Sequence, residues 1–197
     1  MLFAILSVFF WLQASAQITV TAATFPAIGD TFRYAIDLAP AGNNFITPPG
    51  GPQMWDFSGL QFEQTFETVF RSPDSGMNKA SFPGANLMQS AFGESYFKVS
   101  TDKFELLGYA GGDPAGFGIS VVSRFAPAIV ERYSPSNFFD VKQQNTNLSL
   151  PFSTDALPDS LIANIPGIAF VDSIRIRINF QRLGVVDGFG ELKIPGM

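Results

Sequence analysis

Two residue types are missing from this 197-residue chain: cysteine and histidine. Without them, Ser-His-Asp and Cys-His nucleophile systems cannot be assembled. Zinc sites built on imidazole or thiolate are impossible as well. The lack of cysteine also removes disulfides, so the fold must be held by its core, and it excludes a lipid-anchored precursor. Charge is scarce: 15% of residues are charged, against the ~25% typical of soluble domains. Seventeen acids against twelve bases leave a net charge of −5. A mildly acidic surface disfavours nucleic acid and anionic membranes as partners, because both are polyanions. Carboxylate chemistry and oxygen-ligated cations stay open. No cofactor is expected, and calcium is the one metal ion the composition suits.

Apolar residues are plentiful, with 22 Phe against 4 Tyr. Residues 2–12, LFAILSVFFWL, form a nearly unbroken apolar run, followed by the short polar segment QASAQ. Ala14-Ser15-Ala16 is the small-x-small pattern that a signal peptidase accepts, because its pocket admits only tiny side chains at those two positions. The run is far shorter than the about 20 residues needed to cross a bilayer. The expectation is therefore a signal peptide over 1–16, with Met1 as its only positive end, and no membrane span in the mature chain. Residues 17–197 then suffice for one domain, which at this size buries about 70% of its unfolded surface.

The mature chain reads as short apolar segments divided by Gly, Pro, Asn and Asp. From Thr31 to Leu38 the alternation is unbroken, with Phe32, Tyr34, Ile36 and Leu38 on one face. Only a strand, with its period of two, places these four together. Asp172–Gln181 is more regular still, and predicts a strand with Ile174, Ile176, Ile178 and Phe180 in the core. Arg182 then falls on the apolar face, which reads as a bulge. Further strands are expected at Ile18–Ala22, Gln53–Phe57, Gln61–Arg71, Ser95–Ser100, Phe104–Tyr109, Ile119–Phe125, Ile129–Tyr133 and Asn147–Phe152. Asp187–Gly190 reads as a turn after which Glu191–Ile194 extends the preceding strand or pairs with it. Helix is expected only at Asp159–Asn164 and Pro135–Phe139. The reading is all-β: an antiparallel β-sandwich or jelly-roll-like fold with little helix, a single domain over 17–197. Ala39–Pro52 is read as a surface loop.

Few constellations carry chemistry. Gly108–Gly118, GYAGGDPAGFG, lacks the Gly-Lys-Ser/Thr of a P-loop and the helix of a dinucleotide fingerprint. It reads as a strand-connecting loop in which Asp113 sets a turn. Asp113, Asp155, Asp159 and Asp187 could offer oxygen to calcium, although aspartates in turns usually cap backbone groups. A glycosidase needs two facing carboxyls. Glu63 and Glu67, beside Phe62 and Phe66, are the best such pair, and a solvated strand face is the simpler explanation. Arg175 and Arg177 could meet an anion, or simply solvate their strand. Trp55, Tyr96 and Tyr109, with Asp113, are the candidate ligand contacts. Trp55 in particular could serve as a stacking platform, against the plainer reading of core packing.

Several segments carry a resemblance: Ile18–Asp37, Ile46–Leu60 (ITPPGGPQMWDFSGL), Phe82–Leu87 (FPGANL), Glu105–Gly118 and Asp172–Gly196. Together they resemble a group of uncharacterised secreted proteins of the Bacteroidetes. The resemblance implies export through the general pathway and sorting to the surface or medium by the type IX secretion system. In relatives the chain usually continues past the GFGELKIPG-like segment into a sorting domain, so the reading includes a C-terminal truncation, or a periplasmic address if that domain is truly absent. The resemblance transfers no functional residues.

Two functions follow as expectations. One is a non-enzymatic extracellular or cell-surface domain with a binding, adhesive or structural role, its partner a glycan or another surface protein. The alternative is a carboxylate-dependent glycan-active enzyme. Pro195-Gly196, a turn signal at the end of the chain, adds the expectation of an exposed sheet edge at Glu191–Ile194 through which copies self-associate.

Overall fold

Regular alternation is realised as strand throughout the computed structural model, which describes residues 18–40, 49–91, 93–113, 118–157, 159–164, 166–167 and 170–195. The expected signal peptide and the middle of the expected loop over Ala39–Pro52 lie outside the described residues. The described residues form ten strands: β1 (Thr31–Ile36), β2 (Gly50–Asp56), β3 (Gln64–Arg71), β4 (Leu87–Gln89), β5 (Glu94–Val99), β6 (Lys103–Gly112), β7 (Ser120–Tyr133), β8 (Val141–Ser153), β9 (Ser173–Val185) and β10 (Gly188–Lys193). The one α-helix among the described residues, α1 (Asp159–Asn164), falls where the sequence places it. The protein is all-β with little helix, as expected.

Eight strands form one antiparallel sheet in the order β1-β3-β4-β5-β6-β7-β8-β9. From β3 onward this is a simple meander, a strand order that local alternation left open. β2 and β10 form a second, parallel pair. That pairing corrects the expectation that Glu191–Ile194 extends or pairs with the preceding strand. Glu191 lies beside Met54 and Leu192 beside Trp55, rather than against β9. Glycine makes the approach possible, because a Cβ on Gly190 would collide with the Gln53 backbone. Among the described residues β10 is paired on one side only, leaving an edge along its other side.

Other expectations shift. Ile18–Ala22 contributes one bridge, Val20 to Ser136, followed by a 3-10 turn at Ala22–Thr24. The two segments expected around Pro127 are one continuous strand, β7. β4 carried too few residues to show a period. Pro135–Phe139 is bridge and turn rather than helix, and Gly50–Pro52, expected as loop, opens β2. No bulge occurs at Arg182. Register with β8 is unbroken from Val141↔Val185 to Ser153↔Ser173. Arg182 is accommodated on the apolar face because Glu131 of β7 accepts from its guanidinium at 3.1 Å.

The core lies in three clusters. Phe25, Phe70, Leu87, Phe97 and Phe104 form one. Phe82, Met88 and Tyr96 form another; neighbouring Tyr96 and Phe97 join different clusters because successive strand residues point to opposite faces. Val121, Leu148, Leu150 and Phe152 form the third, against which Ile174, Ile176 and Ile178 are half-buried. Phe180, the last of that row, is 38% exposed and meets the core only edge-on at Phe125.

The ladder between β7 and β8 is short. It covers Arg124–Ala126 opposite Asn147–Ser149 and then stops. The next residue is Pro127, which has no N–H to donate. Beyond it, side chains of β8 replace the backbone partners. The Thr146 hydroxyl donates to the Pro127 carbonyl. Gln144 Nε2 donates to the Ala128 carbonyl at 2.7 Å, and the Val130 N–H donates to Gln144 Oε1 at 3.1 Å.

Candidate functional site: an aromatic groove at the sheet edge

β1 is an outer strand, paired with β3 in the register Phe32↔Thr68, Tyr34↔Phe66, Ile36↔Gln64. Tyr34 and Phe66 are therefore directly opposed, and their rings stack at 5.4 Å with an interplanar angle of 22°. Phe32 meets Phe70 edge-on at 5.5 Å, and Phe70 in turn contacts Phe97 and Phe104. One aromatic row thus runs from the buried core out along the sheet. Its outer members stay accessible, Phe32 at 46% and Tyr34 at 42%. The stripe the sequence marks as one strand face is present, with substantial surface left in solvent.

A groove of about 750 Å³ follows this edge, lined by Tyr34, Phe62 and Phe66 together with Arg33, Asp37, Gln61 and Glu67. Phe62 is 59% exposed. The polar groups are held in place. Arg33 Nε donates to Glu67 Oε2 at 2.8 Å. Asp37 accepts from the Gln61 N–H at 2.9 Å and from the Ala39 N–H at 3.0 Å. Glu63 accepts from the Leu38 N–H. The two carboxylates that the sequence singles out are thus tied to a guanidinium and to backbone, and two of their aromatic neighbours line the groove.

The carboxyls with displaced pKa values lie elsewhere and all move down. Asp56 is lowered by the hydroxyl and N–H of Ser58, Asp74 by Lys79 and Ser72, and Asp102 by Ser100. Burial pushes Glu94 up, but donors from Asn78, Met77 and Tyr96 outweigh it and hold the group below its usual value. A general acid needs the opposite displacement.

The four sequence candidates do not meet on one surface. Tyr96 is fully buried, stacked on Phe82 at 4.4 Å, with its hydroxyl donating to Glu94 at 2.8 Å. Trp55 is half-buried in β2, in the second sheet, beside Gly188. Tyr109 is half-buried opposite Ser123 in the β6–β7 ladder. Burial raises its pKa, the nearby Ser123 hydroxyl offsets part of that, and the Asp113 charge adds to it. Neither hydroxyl reaches hydrogen-bond geometry. Asp113 closes the turn between β6 and β7, accepting from the Ile119 N–H at 3.0 Å; residues 114–117 of that glycine-rich segment lie outside the described residues. Arg175 and Arg177 are exposed on β9, alternating with Ile174, Ile176 and Ile178.

Among the described residues, no three acidic side chains converge as a metal site would require. No helix among them is long and apolar enough to cross a membrane. Sequence reasoning passed over Tyr34, because an alternating stripe normally marks buried surface. The available signal was its place opposite Phe66, which needs the register. No family model, no curated protein and no solved structure matches this chain.

Proposed function

We propose that this is an exported, non-enzymatic binding domain that contacts glycans through the β1–β3 groove. The observation that carries the reading is the accessible Tyr34–Phe66 stack beside Phe62. A pyranose ring presents a C–H-rich face that packs on aromatic rings, while its hydroxyls need charged or amide partners; Arg33, Asp37, Gln61 and Glu67 line the same groove. Apolar walls with a few placed polar groups are the usual composition of a ligand site. The Arg33–Glu67 pair supplies donors and acceptors at the groove wall. The enzyme alternative has less support, because Glu67 is held by Arg33 and Glu63 by backbone, leaving neither placed as a free acid. Export is supported by the apolar run ending in Ala14-Ser15-Ala16.

A glycan array and a hydrolysis assay on one sample of the 17–197 chain test the proposal together. Binding without turnover is expected, reduced about tenfold or more by Tyr34→Ala or Phe66→Ala. Turnover abolished by Glu67→Gln would replace it with the enzyme reading. Binding untouched by both aromatic substitutions would remove the groove from consideration.

A further inference from the structure

The parting of β7 from β8 beyond Pro127 opens a second concavity, a cleft of about 350 Å³. Ligand pockets span ~300–1,000 Å³, so this one suits a small molecule. Val20 and Phe25 wall it from the N-terminal side, and Val185 at the end of β9 and Phe189 of β10 from the other. Its polar groups differ in how far they are already committed. Arg182 and Glu131 neutralise each other. Both ends of the Gln144 amide are spent on the β7 backbone. Asp140 accepts from the Asn137 N–H at 2.9 Å.

Arg132 and Lys142 stand apart. Neither pairs with a carboxylate among the described residues. Instead the Arg132 guanidinium lies 5.5 Å from the rings of both Phe25 and Phe104, and Lys142 Nζ lies 5.4 Å from the Tyr133 ring. An aromatic face attracts and orients a cation without cancelling its charge. Two cations without a carboxylate partner therefore line one small cleft and outnumber the one carboxylate there that has no ion pair, Asp140, on a chain whose overall charge is negative. Its apolar walls lower the local dielectric and so strengthen the pull on an anion.

We propose that this cleft binds a small organic anion: a carboxylate carried on an apolar chain or a sugar ring. Arg132 and Lys142 take the carboxylate, while Val20, Phe25 and Phe189 pack on the body. The site is separate from the β1–β3 groove and does not depend on the glycan reading.

Amide-resolved NMR titration of the 17–197 chain tests it with two matched pairs, hexanoate against 1-hexanol and glucuronate against glucose. Saturable shifts at Arg132, Tyr133 and Lys142 are expected with a carboxylate and not with its neutral counterpart. Whichever acid saturates at the lower concentration names the source, a free carboxylic acid or an acidic sugar. Lys142→Gln should weaken that acid about tenfold, and Tyr34→Ala should leave it unchanged. Arg132→Gln should act like Lys142→Gln; if it fails to fold, the exposed Lys142 alone carries the test. Failure of both acids to saturate below about 20 mM would overturn the proposal. So would equal shifts from the neutral compounds, or binding indifferent to Lys142→Gln.

Discussion

The Gln144 side chain of β8 accepts from the Val130 N–H of β7 at 3.1 Å, at a point where the two strands share no backbone ladder. Val130 is buried, so its N–H would otherwise be an unmet donor in the interior. The other end of the same amide satisfies the Ala128 carbonyl. One side chain thus holds open the gap begun at Pro127.

Gln144→Ala should therefore destabilise the fold by about 2 kcal/mol, the cost of leaving a buried backbone donor unmet. Faster hydrogen exchange confined to the amides of residues 128–132 would identify the cause. Gln144→Glu keeps one acceptor and should recover part of the loss. Unchanged exchange at Val130 in the alanine variant would show that the bond contributes nothing.

Glu94 and Tyr96 should set two limits on stability with pH. Glu94 is held below its ordinary value of 4.5, so its contribution is complete above that value and lost as pH falls through the lowered one. Tyr96 is pushed from 10.0 to about 12, first by burial and then by its bond to Glu94. Its neutral form is favoured by folding, so that contribution is complete below pH 10 and lost by about pH 12. Urea denaturation across pH should show a plateau falling at both ends. Glu94→Gln should shallow the acid limb and Tyr96→Phe the alkaline limb. A Tyr96→Phe profile that keeps the wild-type alkaline limb would assign that limb to other groups.

Gly108 and Gly190 admit no side chain. A Cβ on Gly190 would strike the Gln53 backbone, and one on Gly108 would strike the Ser123 carbonyl and lie 2.7 Å from the Phe82 ring. Gly108 also holds φ at +155°, at a register shift in the β6–β7 ladder. Either glycine changed to alanine should cost about 1–3 kcal/mol through overpacking. The Gly190 variant should lose order in β2 and β10 and leave the meander intact, a difference that hydrogen exchange resolves. A wild-type melting temperature in both would contradict the packing described.

Export predicts a mature chain that begins at Gln17, after cleavage behind Ala16. Intact mass of the exported product measures this directly. A product retaining Phe9–Trp11 would show that the apolar run is not removed.

Alternation alone was enough to locate β1 and β9, because side chains along a strand repeat every two residues, and shorter apolar segments marked parts of β2, β3, β5, β6, β7 and β8. The absence of histidine and cysteine, also visible in the sequence, closed off Ser-His-Asp and Cys-His nucleophiles and zinc held by imidazole or thiolate. Composition pointed to the Glu63–Glu67 segment with its phenylalanines, which does border the groove. Three features had to wait for the tertiary structure. The parallel pairing of β2 with β10 joins segments more than 130 residues apart, and period says nothing about partners. Arg182 looks like a break in β9 until Glu131 arrives from another strand to neutralise it. The apolar stripe of β1 reads the same whether a second layer covers it or not. Phe32 and Tyr34 stay accessible in the folded protein, because burial depends on what packs against a face, and no strand encodes that in its own residues.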